Sequence, residues 1–74
     1  MTLEYAIVIE PSSNGFGAYV PDLPGCVAVG ESQDEVRALI REAIGFHLEA
    51  LREDGQAAPV PVSRVDYIRV AQAA

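Results

Sequence analysis

Residues 32–55, SQDEVRALIREAIGFHLEALREDG, predict one long amphipathic helix around which the other elements must be arranged. Ser32 and Glu35 have the spacing of a capping box, in which two side chains satisfy free amides of the first helical turn. Gly55 is typical of the left-handed residue that ends a helix. The apolar residues recur every three or four positions and form one stripe, consisting of Val36, Leu39, Ile40, Ala43, Ile44, Leu48 and Leu51.

The segments on either side of this helix predict strands. Residues 3–10, 16–20 and 26–29 are short and rich in β-branched and aromatic side chains, and residues 65–70 have the same character after the helix. We therefore expect an α+β fold in the order β-β-β-α-β. It consists of an antiparallel sheet of three to four strands with one helix packed on one face.

Two turn signals separate the first three strands. Asn14-Gly15 can adopt the positive φ angles of a tight hairpin, and Pro24-Gly25 suits a type II turn. Both turns favour antiparallel pairing of the strands that they connect.

One helix covers only one face of a sheet, and the predicted strands carry apolar residues on both faces. The second face should therefore be covered by another molecule, because bare apolar patches commonly mark protein contacts. The candidate partner-binding residues are those of the strands and of the loop after the second strand, namely Ala6, Val8, Ala18, Val20, Asp22, Val27 and Val29.

Charge limits the kind of partner. The formal net charge is −6, from eleven acidic residues against five arginines and no lysine. An acidic chain is repelled by nucleic-acid phosphates and attracts basic proteins. We expect no direct DNA binding, a homo-oligomer of two or more copies, and a basic protein partner.

Length, cysteine content and hydropathy point to one cytoplasmic domain, residues 1–74. Cys26 is the single cysteine, so no internal disulfide can form, and it is expected to be a small buried apolar residue. Neither a signal peptide nor an apolar run of about 20 residues is present, so no membrane association is expected.

Catalytic interpretations of the polar residues are weaker than structural ones. Glu10, Asp22 and Glu31 are the acidic residues near strand ends, but their spacing matches no metal-ligand pattern, and Asp22 suits a turn. His47 lies within the apolar stripe and should face the sheet. We expect no catalytic residue, metal or cofactor.

Two surfaces could still bind a partner. Glu42, Glu49 and Glu53 could form an acidic docking surface, although charge on the outer face of a helix is usually only solvated. The strand aromatics could stack on RNA bases, but such platforms also need a basic groove. The strand aromatics are Tyr5, Phe16, Tyr19 and Tyr67.

Two segments, GFGAYVPDLPGCVAVG at residues 15–30 and HLEALREDG at residues 47–55, match a family pattern that continues to Pro59 and Pro61. Through these segments and their continuation, the chain resembles the HicB-like antitoxins over nearly its whole length. The resemblance implies a partial ribonuclease-H-like domain that masks HicA-type toxins, which are small basic ribonucleases that cleave mRNA. Many members also carry a carboxy-terminal DNA-binding segment, which AQAA after Val70 does not resemble.

Three functions remain open at this point. The first is an antitoxin that masks a HicA-type toxin, and the second is a self-assembling interaction domain without a toxin. The third is a degenerate metal-dependent nuclease.

Overall fold

The computed structural model describes residues 2–73, so the two ends of the predicted domain, Met1 and Ala74, lie outside the described residues. Strand β1 spans Val8–Ser12, β2 spans Gly15–Tyr19, β3 spans Val27–Gly30, and helix α1 spans Gln33–Glu53. The strands form an antiparallel sheet in the order β1-β2-β3, with β2 in the centre. The predicted α+β class, with one helix beside an antiparallel sheet, is confirmed.

Helix α1 begins and ends as its sequence predicts. The Ser32 hydroxyl accepts the amide of Glu35 at 3.0 Å, and the Glu35 carboxylate accepts the amide of Glu31 at 2.7 Å, one residue earlier than in the usual capping box. Gly55 follows the helix with a φ of 74°. In the described part of the chain no helix is long and apolar enough to cross a membrane.

The core lies between the sheet and α1. Ile9, Ala18 and Ala28 are opposite one another across the three strands, and all three pack in the cluster that contains Val36 and Ile40 of the helix. The buried members of this cluster are Ala18, Val20, Leu23, Cys26, Val36 and Ile40. Helix α1 contacts β3 and β2 more extensively than β1. One side of the sheet is therefore closed by the helix, least completely over β1.

The loop between β2 and β3 contains the predicted type II turn. The amide of Cys26 donates to the carbonyl of Leu23 at 3.0 Å, and Gly25 has a φ of 85°. The β1–β2 hairpin differs from the expectation. Ser12 is paired with Gly15, so the two turn residues are Ser13 and Asn14, and no non-glycine residue among those described has a positive φ.

The predicted fourth strand, residues 65–70, is wrong for the isolated chain. The sheet of the described residues has three strands, and residues 65–70 are extended and exposed without pairing to any of them. The sequence pattern identified a segment with strand character. A strand also needs a neighbouring edge to bond with, and this segment reaches none within its own chain.

Strand β1 also begins later than predicted, because residues 3–7 extend past the last residue of β2. Val8 is paired with Tyr19, and the chain then leaves the sheet in the loop that contains the buried Val20. Residues 3–7 therefore have no partner strand within the described chain.

Ile40 and Leu39 give a direct test of the core. Ile40 is 1% exposed, so Ile40→Ala should lower the free energy of unfolding by about 2–5 kcal/mol through lost burial and the cavity left behind. Leu39 is 37% exposed, so Leu39→Ala should cost less than about 1.5 kcal/mol. Urea unfolding followed by circular dichroism measures both, and equal losses would contradict the assigned helix orientation.

Candidate protein-binding surface

The face of the sheet that points away from α1, which we call the outer face, is apolar. Val8, Tyr19 and Val27 are aligned across the three strands on this face, and Val29 lies on it opposite Gly17. Val27 is 62% exposed and Val29 is 72% exposed. Alternation along the chain places the half-buried Ala6 on the same side as Val8. The assignment of Ala6, Val8, Val27 and Val29 to a partner-binding face stays a prediction.

The sequence-based prediction placed two candidate residues on the wrong face of the sheet. Ala18 and Val20 are 4% and 2% exposed and belong to the core on the helix side, so their assignment to a partner-binding face is wrong. The cause is the sequence of β2, GFGAY, in which glycine occupies two of the positions that face outward. Without polar residues at these positions, the sequence did not show which face Ala18 occupies.

The outer face continues around the edge of β3 onto the helix. Leu39 and Phe46 of α1 line the same groove as Val27 and Val29, and Phe46 is 74% exposed. We call these four residues the β3-side patch. An exposed phenylalanine beside two exposed valines is a contiguous apolar surface rather than a scattered residue, and such surfaces mark binding sites.

Acidic side chains surround the β3-side patch. Glu42 lines the same groove. Glu35, Glu49 and Glu53 are exposed and lie at helical spacing on the face of α1 that carries Phe46. Glu49 accepts from Arg52 at 2.7 Å, and this hydrogen bond and the guanidinium charge hold the pKa of Glu49 below its usual value. An apolar centre with an acidic border is thus present along one side of the helix.

Asp22 makes contacts that hold the segment after the helix. Its carboxylate accepts the amides of Val62 and Ser63, each at 2.9 Å, and the hydroxyl of Ser63 at 2.8 Å. The amide and then the hydroxyl of Ser63, followed by the amide of Val62, keep the pKa of Asp22 below its usual value. A structural role was expected for Asp22, but its partners are about forty residues away rather than in its own turn.

A second contact holds the same segment. The Tyr5 hydroxyl donates to the carbonyl of Pro59 at 2.5 Å. We call these bonds of Asp22 and Tyr5 the clamp.

The remaining polar candidates do not converge. In residues 2–73, no three residues of the metal-binding types His, Cys, Asp and Glu lie close enough together to hold an ion. Glu10 and Glu31 are exposed, whereas Asp22 is bonded within the clamp. His47 is half-buried on α1, as are the stripe residues Ile44 and Leu48.

Cys26 is buried as expected, and burial raises the pKa of its thiol. The strand aromatics are divided between environments. Phe16 packs on the core, Tyr19 lies on the outer face, and Tyr67 is exposed after the helix. They do not form one stacking platform.

Phe46 is the surface residue that the sequence analysis missed. It lies outside the apolar stripe of α1, among the positions of Glu42 and Glu49. This position was itself the available signal, because a large aromatic side chain on the polar face of an amphipathic helix has no place in the core that the stripe defines.

The fold and this surface define a small α+β domain with an uncovered apolar surface. The family model for the HicB_like antitoxin of bacterial toxin-antitoxin systems matches residues 5–73. The chain belongs to this family.

A solved structure has the same fold. A chain of the HicA3 and HicB3 toxin-antitoxin complex matches with a TM-score of 0.69 and 33% identity, covering 81% of this chain and 70% of that chain.

Protein relatives come from a phage, a bacterium and an archaeon. A 14.9 kDa protein from the rep-hol intergenic region of Haemophilus phage HP1 is 40% identical over 55 residues, which is 74% of this chain and 41% of the phage protein. A UPF0150 protein of Helicobacter pylori is 47% identical over 64% of this chain and 65% of its own length. A UPF0150 protein of Archaeoglobus fulgidus is 39% identical over 85% of this chain and 96% of its own length. The chain thus spans less than two thirds of the first two relatives.

The clamp should be sensitive to acid. The pKa of Asp22 is lower in the folded chain, so its contribution is present above the usual carboxyl pKa of about 3.9 and is lost as pH falls through the folded value. The NMR amide signals of Val62 and Ser63 should stay constant from neutral pH to about pH 5 and move below about pH 4. Asp22→Asn should shift them already at neutral pH.

Glu31→Gln is the control for this titration, since Glu31 is exposed and only its amide, not its carboxylate, is hydrogen-bonded among the described residues. It should leave the signals of Val62 and Ser63 and their acid transition unchanged. Signals that ignore both acid and Asp22→Asn would show that the clamp is not formed in solution.

Proposed function

We propose that the chain is a non-catalytic antitoxin that masks a small, basic, mRNA-cleaving toxin of the HicA type by covering its RNA-binding surface and catalytic residue. The observation that carries this proposal is the β3-side patch with its acidic border. The family membership and the fold shared with a chain of the HicA3 and HicB3 complex support the same role.

The chemistry of the patch suits a protein partner. Protein interfaces commonly have an apolar, aromatic-rich centre inside a polar rim. Phe46 is the large aromatic group of the patch, and Leu39, Val27 and Val29 surround it as smaller apolar contacts. Aromatic anchors of this kind contribute a large share of binding energy once a partner removes them from water.

The charge of the surface suits a partner that binds RNA. A ribonuclease holds RNA phosphates with basic side chains. Glu35, Glu42 and Glu53 carry carboxylates on the face of the helix that carries Phe46. The basic side chains of a partner that docks on the patch would contact these carboxylates in place of RNA phosphates. Complementary charge raises the rate of encounter and selects the partner. The chain would therefore compete for the surface that the substrate uses.

We also propose that the chain works in the cytoplasm as a homo-oligomer formed by a single domain, residues 1–74. A self-assembling interaction module without a toxin is the second candidate function. The observation that favours it is the exposed apolar segment after Ser63, where Tyr67 and Ile68 are 88% and 80% exposed. Both candidates require self-association, but only the first requires the β3-side patch to bind a basic protein.

Phe46→Asp should abolish toxin binding without unfolding the chain, because Phe46 is largely exposed and contributes little to the core. With a catalytically silenced HicA-type toxin, calorimetry should show binding weakened about 30-fold or more, the loss expected for an interface hot spot. Glu42→Gln should weaken binding only a few-fold and reduce its dependence on salt. Ala57→Asp, which adds the same charge at an exposed residue outside the patch, should bind normally.

Unchanged affinity for Phe46→Asp would exclude the β3-side patch as the toxin-binding surface. Equal losses for Phe46→Asp and Ala57→Asp would instead attribute the effect to net charge, which would contradict a defined patch.

Growth provides an independent test of the antitoxin role. The reading frame beside the gene should encode a small basic HicA-type protein whose expression alone arrests growth. Co-expression with this chain should restore growth, and co-expression with Phe46→Asp should not. Arrest that persists when the chain is folded and abundant would contradict the antitoxin role and favour the self-assembling module.

A further inference from the structure

The segment after the clamp, residues 64–70, which we call the arm, extends into solvent. It contains four exposed apolar side chains, Val65, Tyr67, Ile68 and Val70, which are 57–88% exposed. The longest dimension of the molecule is 55 Å, and its radius of gyration is 14.8 Å, against about 11 Å for a compact domain of this length. The arm accounts for this elongation, because the other elements are packed together.

The arm has the sequence of a covered strand. In an extended chain Val65 and Tyr67 point to one side, while Ile68 and Val70 point to the other. Strands that are apolar on both faces are normally buried on both. In the described structure no backbone hydrogen bond links the arm to another segment, and the amide of Tyr67 bonds only to the adjacent Asp66 side chain. Among the described residues, the backbone of the arm therefore has no partner strand, and its apolar side chains are largely exposed.

The clamp fixes the direction in which the arm leaves the core. Ser63, the residue just before the arm, is bonded to Asp22 through both its amide and its hydroxyl. Pro59 and Pro61 restrict the backbone immediately before it, and the carbonyl of Pro59 is bonded to Tyr5. The base of the arm is therefore fixed while the arm itself points away from its own sheet.

A matching acceptor exists at β1. This strand pairs only with β2 among the described residues, so its other edge is free, and the unpaired residues 3–7 continue it. A groove lined by Ile7, Ile40 and Ile44 runs between β1 and the helix. Helix α1 covers β1 less than the other strands, so the groove has room for the side chains of one more strand.

We propose that the arm of each chain adds as a fourth strand to the free edge of β1 in a second copy of the chain, so that two copies exchange arms. In the dimer, Ile68 and Val70 cover the groove beside Ile7, and Val65 and Tyr67 extend the apolar outer face. The exchange is reciprocal, and it supplies the backbone partners that both the arm and β1 lack. The proposal rests on the self-association part of the proposed function and is independent of toxin binding.

Length and charge favour β1 over β3 as the acceptor. Residues 3–10 match the seven residues of the arm, whereas β3 has only four residues, Val27–Gly30. The groove beside β1 is bordered by Arg37 and Arg41 and by one acidic residue, Asp34, and the two arginines can pair with Asp66 of the arm. The groove beside β3 carries Glu42, which offers no such partner. The segment that leads to the arm is held at the beginning of the β1 segment, because the Tyr5 hydroxyl donates to the carbonyl of Pro59.

Ile68→Pro tests the exchange in the full chain. Proline removes one backbone donor and prevents regular strand pairing. Because Ile68 is 80% exposed in the single chain and lies outside the core cluster, the core should remain folded, as judged by unchanged circular dichroism. Sedimentation equilibrium at micromolar concentration should give a dimer for the natural sequence and a monomer for Ile68→Pro. Ala71→Pro, the same change just beyond the arm, should remain dimeric.

Hydrogen exchange identifies the edge that is used. Amides of residues 3–10 and 64–70 should be protected in the dimer and should lose this protection together in Ile68→Pro. A dimer that persists in Ile68→Pro, or protection that appears at β3 instead of β1, would overturn the arm exchange while leaving self-association intact. A natural chain that is monomeric, or whose arm is protected only after a basic toxin is added, would overturn both.

Discussion

A single helix can cover only part of a three-stranded sheet, and this geometric limit determines which surfaces of the molecule are left for binding. Helix α1 packs over β2 and β3, where Val36 and Ile40 meet Ala18 and Ala28. The outer face of the sheet has no cover, and β1 is covered least on the helix side. The described residues supply one helix and three strands, and no second layer. The uncovered apolar regions therefore follow from the architecture itself.

The two sides of the helix differ in charge, and this difference separates the two proposed partners. On the β3 side, Glu42 and Phe46 line the same groove, which suits a basic protein. On the β1 side, two arginines, Arg37 and Arg41, and only one acid, Asp34, border the apolar groove, and an acidic residue of the arm can pair with the arginines. Charges of opposite sign on the two sides disfavour the wrong partner at each surface. A dimer formed through the arms would leave both β3-side patches free.

The local sequence pattern predicted the elements of the fold. The face or the partners of individual residues depended on contacts that a local pattern does not contain. The stripe and caps of α1 and the turn at Pro24-Gly25 rest on short-range chemistry, and all are present. The predicted face of Ala18 was wrong because β2 has glycines, rather than polar residues, at two of its outward positions. The partners of Asp22 were missed because Val62 and Ser63 lie about forty residues away. The strand character of residues 65–70 was visible in the sequence, but their lack of a partner strand in the described structure was not.

The clamp connects these regions, because it links the loop after β2 to the base of the arm. Leu23, next to Asp22, is fully buried, so folding of the core holds the carboxylate in place before any second copy arrives. Binding loses less conformational entropy when the binding segment is already directed towards its partner. Loss of the clamp would leave the arm attached but undirected, and more of its freedom would then have to be given up on association. In this way the loop that carries Asp22, at the base of the arm, would affect how readily two chains exchange strands.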